Sequence, residues 1–282
     1  MKVVLELTKF KIALFATLST SAGFILAKQG VSNEMIPAVL GVFFLACGSC
    51  ALNQYQEKEK DRLMERTRER PIPTLRLNPD TALKIALVLL FLGAFILFEW
   101  TKGIAFGLGV LAILWYNGFY TFLKRKSAFA VIPGALVGAI PPLVGWVSGG
   151  GDILNPQILA VAFFFYIWQI PHFWLLILDF GKDYEKAGFP SLTRIFTAAQ
   201  VRRILFAWIF ATAVACLVIP LFGLVTSSGV QVGFLVAGFW LVWKAFMLLK
   251  SHHSEFSFRP TFNSINAYVL LVISLLTLDH LL

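Results

Sequence analysis

Eight long runs of this chain are almost free of charge, and the polar residues gather between them. The runs are Ile12–Ala27, Met35–Gln56, Ile85–Glu99, Gly103–Leu123, Ser127–Gly151, Ile153–Leu178, Ile204–Trp243 and Pro260–Leu278. A helix needs roughly 20 mostly apolar residues to cross the hydrocarbon core of a bilayer. Ile204–Trp243 is long enough for two crossings, with Ser227-Ser228-Gly229 as the hairpin between them. The pattern therefore predicts nine transmembrane helices. The third has the shortest run and must borrow Thr81–Lys84 to reach across.

Two of these segments are interrupted. The fifth carries Pro133, Gly134, Gly138, Pro141, Pro142 and Gly145, and the sixth carries Gln169-Ile170-Pro171-His172. Proline removes a helix hydrogen bond, and inside a membrane the freed carbonyl must find a partner in the protein or in a wet cavity. Both segments are expected to face the interior rather than lipid.

Composition agrees with a membrane class. The chain is 58% hydrophobic and 14% charged, where ordinary globular chains carry about 25% charged residues. The net charge of +9 changes meaning once it is placed on the helices. With the N-terminus inside, Lys58, Lys60, Arg62, Arg66, Arg68, Arg70 and Arg76 fall in the first inner connection. Lys124, Arg125 and Lys126 fall in the second, Lys182, Lys186, Arg194, Arg202 and Arg203 in the third, and Lys250 and Arg259 in the fourth. Only Lys28 and Lys102 fall in outer connections. This is the positive-inside asymmetry, and it predicts N-in, C-out topology. The basic balance is thus an orientation signal, and nucleic acid is excluded as a partner. Met1–Lys11 followed by an apolar run looks like the start of a signal peptide, but it leads into a multi-span chain, so it is expected to stay as the first helix. Cys47-Gly-Ser-Cys50 has redox-motif spacing inside an apolar helix, where small residues serve close packing. His252-His253 reads as an exposed polar pair. Residues 1–282 are expected to form a single polytopic membrane domain.

Two inner connections are long and polar: Glu57–Pro79 and Asp179–Gln200. The first opens with Asn53-x3-Glu57-x3-Asp61, followed by Arg66 and Arg70. The second opens with Asp179-x3-Asp183, near Tyr184 and Glu185. Residues four apart share a helix face, so each set can aim its oxygens at one spot. Ionisable groups clustered at a membrane edge are a functional signal. Carboxylates and an amide oxygen suit Mg2+, and arginines suit phosphate. The expected site therefore holds a magnesium-chelated diphosphate, with Asn53, Glu57, Asp61, Asp179 and Asp183 as metal ligands and Arg66 and Arg70 on the phosphate oxygens. Lys124 and Arg125 are further diphosphate contacts, with Asn117 and Tyr120 on the cavity side. A plain solvated loop would account for the cations but not for the acidic spacing. His172 is either a hydrogen-bonded interior histidine or a ligand to iron or a carboxylate. The two acidic sets lie four helices apart on one side, which predicts two four-helix halves facing a shared cavity, plus one helix. Some of the 28 phenylalanines are expected along a prenyl tunnel, where aromatic faces stabilise a cation.

These motifs carry a family resemblance. Asn53 to Pro71, reading NxxxExxxDxxMxRTxxRP, resembles the first signature of the UbiA superfamily of intramembrane prenyltransferases, and Asp179-x3-Asp183 resembles the second. Tyr120 to Arg125, Pro133 to Trp146, and Trp168-Gln169-Ile170-Pro171-His172-Phe173 with Asp183-Tyr184-x-x-Ala187-Gly188 look like the protoheme IX farnesyltransferase (haem O synthase) branch. The match runs from about Leu7 to Arg194. It implies an all-α fold of nine transmembrane helices around a central cavity. It implies that farnesyl diphosphate held by Mg2+ ionises, that a vinyl group of haem B captures the allylic cation, and that water completes haem O. Haem B is then substrate and Mg2+ the only cofactor. His172, Gln169, Tyr120 and Asn117 belong to the haem side. The resemblance further implies a bacterial inner membrane with the site facing the cytoplasm, and a downstream haem A synthase as candidate partner. There are departures: Glu57 stands where Asp is common, Lys60 where an apolar residue is usual, Phe10 breaks the usual N-terminal motif, and Lys182 precedes Asp183 where a second Asp is common. Ser191 and Thr193 replace the more usual Met and Pro. The rival readings are a prenyltransferase for a quinone precursor or other aromatic acceptor and, from another class, a transporter with broken helices.

Overall fold

The structure, a computed structural model, describes residues 2–250 and 258–281. His252-His253 lies outside the described residues. Among the described residues there are no strands, and nine helices are long and apolar enough to cross a membrane. They are α1 (Phe10–Lys28), α2 (Met35–Gln56), α3 (Pro79–Trp100), α4 (Gly103–Leu123), α5 (Val131–Ser148), α6 (Pro156–Asp179), α7 (Ala198–Phe222), α8 (Ser228–Lys250) and α9 (Arg259–Asp279). The expected count holds, and Thr81–Lys84 does belong to α3.

Local chemistry explains the helix starts. α3 and α6 both begin at Asn-Pro. The Asn78 and Asn155 side chains accept the amide hydrogens of Asp80 and Gln157, and the proline occupies the first turn, where its missing N–H costs nothing. α7 begins six residues before the apolar run, because Thr197 and Gln200 close a capping box. The hairpin after α7 also differs from expectation. A 3-10 turn at Ile219–Phe222 and Gly223, at φ 72°, end α7, while Ser228 and Gly229 already belong to α8. The Asp279 carboxylate takes the Thr226 and Ser227 amide hydrogens there, so the turn is set by α9 rather than by its own serines.

Glycines allow the closest helix approaches. A side chain at Gly23 of α1 would strike the Pro142 carbonyl of α5, and one at Gly145 would strike the Thr20 carbonyl. Without an apolar driving force between helices in lipid, such small-residue contacts and van der Waals packing hold a bundle together. Trp174, Tyr268, Phe24, Phe164 and Phe234 fill the interior, while Phe91, Phe98, Phe239 and Trp243 face outward as a lipid-facing surface requires.

The two interrupted helices turn inward, as expected. α5 breaks at Ala135 and keeps Pro141 and Pro142 inside its second part. The Pro133 carbonyl accepts the Trp115 indole N–H at 2.7 Å, which satisfies it without water. Gly138 leaves room for the Gln169 carboxamide, whose Oε1 would lie 2.5 Å from an added Cβ.

The long inner connections fold over one another. After α2 the chain makes a short helix, Lys58–Asp61; after α6 it makes another, Gly181–Lys186. Met64, Ala187 and Phe189 form a small apolar cluster with Tyr184. Lys60 donates to the Ala187 carbonyl at 2.6 Å, Lys186 pairs with Glu65 at 2.6 Å, and the Arg66 amide donates to Asp183 at 3.0 Å. The connections thus close a cap over the inner helix ends. Lys60, where an apolar residue was expected, is one of the groups that ties it shut.

Candidate active site

The first acidic set lies where α2 leaves the bundle. α2 ends at Gln56, yet the backbone bonds Glu57 N to Asn53 O (3.0 Å) and Asp61 N to Glu57 O (2.8 Å) continue at four-residue spacing. Asn53, Glu57 and Asp61 therefore keep one face through the break, and all three are buried. Asn53 Nδ2 donates to Thr121 Oγ1 at 3.2 Å. Lys124 lies 2.7 Å from Glu57 Oε2, and Arg70 lies 2.7 Å from Asp61 Oδ2. Each carboxylate keeps its other oxygen, Glu57 Oε1 and Asp61 Oδ1, buried without a hydrogen-bond partner. A buried acceptor left unpaired is costly, so the two orphaned oxygens mark a place built for something else.

That something fits a divalent cation. Mg2+ is usually held by one or two carboxylates plus substrate phosphates and waters, and the donors here are hard oxygens. Among the described residues no three His, Cys, Asp or Glu side chains converge on a metal-sized site by themselves. The second acidic set stands apart from the first. Asp179 lies 3.6 Å from Arg259 of α9, and Asp183 accepts the Arg66 amide.

The cations divide in the same way. Arg70 and Lys124 meet the first carboxylates directly. Arg125 donates to the Gln56 carbonyl at 2.8 Å, holds its guanidinium 5.5 Å from the Phe122 ring centre, and keeps a buried Nε without a partner. Arg66 is exposed, with its guanidinium 5.0 Å from the Phe180 ring centre; its side chain belongs to the cap rather than to the Asp61 cluster.

A π-helical turn at Leu114–Tyr120 in α4 shapes the opposite wall. Single π turns inside α-helices are frequent at functional sites. Here the turn sends Asn117 towards α2, where its Nδ2 donates to Ser49 O (3.0 Å) and Gln56 Oε1 (3.3 Å) and its Oδ1 is left buried without a partner. Tyr120 goes the other way. Its ring stacks on Phe173 of α6 at 5.7 Å and 8°, and Lys124 Nζ lies 5.5 Å from it. Phe173 is 5.8 Å from His172, which lies between Trp168 (4.8 Å) and Phe262 (4.9 Å). An aromatic column thus runs from the Lys124 ammonium to His172. A narrow pocket opens beside it, lined by Tyr120, Lys124, Val131, Trp174, Tyr184 and Phe189.

Several site residues were invisible in the motif reading. Lys9 adopts φ 47° and breaks the N-terminal segment into Lys2–Leu7 and α1. Gln54 Nε2 holds the ends of that break by donating to the Glu6 and Leu7 carbonyls, both at 2.8 Å. Burial pushes the Lys9 ammonium down to about 8; Arg70 and Lys124 push the same way, and Asp61 opposes them. The Lys9 charge is thus felt by the same groups, Arg70, Lys124 and Asp61, that make up the first acidic set. Thr67 donates to the Asp61 carbonyl at 2.9 Å. A polar residue beside Asn53 at the end of an apolar run was the available signal for Gln54. Thr121, Arg259 and Lys9 had none beyond being polar at a membrane edge.

A family model described as the UbiA prenyltransferase family matches residues 16–265. The protoheme IX farnesyltransferase of Oleidesulfovibrio alaskensis is 33% identical over 277 residues, covering 98% of this chain and 95% of that protein. The protoheme IX farnesyltransferase of Geobacter sulfurreducens is 36% identical over 230 residues, covering 78% and 81%. Among solved structures, a digeranylgeranylglyceryl phosphate synthase aligns with a TM-score of 0.80 at 14% identity, covering 99% of this chain and 98% of that one. A UbiA homologue from Archaeoglobus fulgidus, bound to DMAPP and Mg2+, aligns with a TM-score of 0.69 at 12% identity, covering 97% and 98%. At those identities the two structures speak for the fold alone.

Proposed function

Because this chain belongs to the UbiA prenyltransferase family, we propose that it transfers a farnesyl group from farnesyl diphosphate to a vinyl group of haem B, giving haem O and diphosphate. The observation that carries the diphosphate half is the pair Glu57 and Asp61, each with one oxygen on a cation and the other buried and unpartnered. The acceptor half draws on the haem-specific relatives and on the aromatic column that leads from Lys124 to His172.

In this reading Glu57 and Asp61 hold Mg2+, with Asn53 beside them and Asp179 and Asp183 supplying the second acidic set from across the cap. The ion, when bound, neutralises charge on the departing diphosphate. Arg70 and Lys124 move from carboxylate oxygens to phosphate oxygens, Lys9 adds a third positive charge, and Arg125 and Arg66 flank them. Such contacts gain strength as the leaving group becomes an anion, so they lower the barrier rather than only tightening binding. The allylic C–O bond breaks and its electron pair leaves with the diphosphate. Tyr120 and Phe173 present ring faces to the resulting cation. The vinyl terminal carbon donates its π electrons to farnesyl C1, water adds to the carbon next to the porphyrin, and one proton is lost. The cap keeps bulk water from the cation before the acceptor meets it.

The site faces the cytoplasm of a bacterial inner membrane, on the distribution of Lys and Arg between inner and outer connections. The product would pass to a haem A synthase or directly to a haem-copper oxidase. The test is expression in a bacterial host lacking this activity, with extracted haems resolved by mass spectrometry. Haem O is expected. Haem B alone, with a prenylated quinone precursor appearing instead, would move the reading to another aromatic acceptor.

A further inference from the structure

α9 reaches the acceptor side of the bundle through two successive residues. The Trp168 indole donates to the Ile265 carbonyl at 3.0 Å, and His172 Nδ1 lies 2.8 Å from Asn266 Oδ1. These bonds fasten the α6 face that carries His172 to α9 at adjacent positions. The imidazole is further fixed by the rings of Trp168 and Phe262 on either side. Asn266 Oδ1 is a carbonyl oxygen and only accepts, so Nδ1 carries the proton and Nε2 keeps its lone pair. Among the described residues nothing bonds to Nε2. The diphosphate chemistry uses none of these groups. His172 sits seven residues before Asp179, roughly 10 Å of helix rise from the inner end of α6.

Resting on the haem reading above, we propose that Asn266 is a positioning residue that holds His172 as the Nδ1–H tautomer and presents Nε2 to the iron of the haem acceptor. Histidine ligands to metals are commonly oriented in this way, through a hydrogen bond from the second ring nitrogen to a protein oxygen. The rings of Trp168 and Phe262 pack against the imidazole and hold its plane, so that Nε2 keeps one direction. Because Phe173 follows His172 and stacks on Tyr120, the same arrangement sets a ligated haem at one end of the column whose other end is the diphosphate site. α9 then belongs to the acceptor site, although its sequence shows only membrane character.

The test is titration of the purified full chain in lipid nanodiscs with ferric haem B, without farnesyl diphosphate, followed by its Soret band and electron paramagnetic resonance. A nitrogen-ligated spectrum is expected for the unaltered protein. His172→Gly should abolish it, and added imidazole should restore it. Asn266→Leu should weaken haem binding by about 10–100-fold. Asn266→Asp, a stronger acceptor, should keep the ligand and lower the midpoint potential of the bound haem. Farnesyl diphosphate binding should survive in all three, which separates loss of the ligand from loss of the fold. A His172→Gly spectrum unchanged from the unaltered chain, or Asn266→Leu binding haem as tightly, would overturn the proposal. A chain that makes haem O with no His172-dependent spectrum refutes this assignment alone. A chain that binds farnesyl diphosphate but neither binds nor converts haem refutes the functional reading and this proposal with it.

Discussion

Lys124 lies 2.7 Å from Glu57 Oε2, joining α4 to the end of α2 through a pair in which Glu57 is buried and Lys124 nearly so. In the proposed reaction the Lys124 ammonium leaves this pair for a diphosphate oxygen. Removing only one member of a buried pair leaves an uncompensated charge and costs about 3–5 kcal/mol, while removing both is far milder. Lys124→Met should therefore lower the melting temperature sharply in detergent, and the Glu57→Gln, Lys124→Met double variant should recover most of the loss. Both should lack activity. Equal stability of the single and double variants would show that the pair does not matter.

Asp61 is held harder than Glu57, by Arg70 on one oxygen and by Thr67 on its backbone carbonyl. Asp61→Asn keeps the shape but halves the hard-oxygen donors. A drop in turnover of about 10²–10³-fold is expected, the scale seen when one charge-stabilising group is lost. Arg70→Lys should not rescue what Arg70→Ala loses, since an ammonium is a point charge and a guanidinium a planar fork. Steady-state rates against farnesyl diphosphate concentration measure both.

The pH dependence should carry the signature of Lys9. The folded chain holds this ammonium near 8, below its ordinary 10.5, through burial first and Arg70 second. The charge is present below about pH 8 and lost above it. KM for farnesyl diphosphate should then rise as pH passes 8, and Lys9→Met should raise KM at pH 7 and flatten the profile. The linkage for stability has the opposite sense. A depressed lysine pKa makes the buried charge a cost at low pH, relieved as pH rises through 10.5. Lys9→Met should accordingly be no less stable than the unaltered chain at pH 7. A KM that stays flat from pH 7 to 9 in the unaltered chain would count against Lys9 as a diphosphate contact.

At the α1–α5 contact, Gly145 meets the Thr20 carbonyl and has no room for a side chain. Gly145→Val should destabilise by about 1–3 kcal/mol, as overpacking does, without changing KM in the fraction that folds. Thermal aggregation in detergent and activity per folded protein separate the two effects.

Much of this was legible in the chain. Charge-free runs gave nine helices because hydrocarbon tolerates so little else, and i, i+4 acidic spacing gave Asn53, Glu57 and Asp61 because a helix face is a local property. What sequence could not show is long-range choice of partner. Nothing near Asp179 announces Arg259 of α9, and nothing near His172 announces Asn266. The π turn in α4 is also silent, since Leu114–Tyr120 reads as ordinary apolar helix, yet it divides Asn117 from Tyr120. Asn117, expected with His172, bonds instead to Ser49 and Gln56 of α2, near the first acidic set. Arg66 was grouped with Arg70 by its spacing, but the turn at Met64–Thr67 sends its side chain to Phe180 in the cap. The α7–α8 hairpin was placed by small polar residues, and Asp279 of α9 sets it instead.

The most direct measurement is a reaction with the purified chain in lipid, given haem B, farnesyl diphosphate and Mg2+, with the pigments resolved by mass spectrometry. A haem carrying a hydroxyethylfarnesyl group should form, vanish with EDTA, return when Mg2+ is restored, and never form with Asp61→Ala. Haem B left unchanged while another acceptor is prenylated, or haem O formed undiminished in EDTA or by Asp61→Ala, would contradict the account.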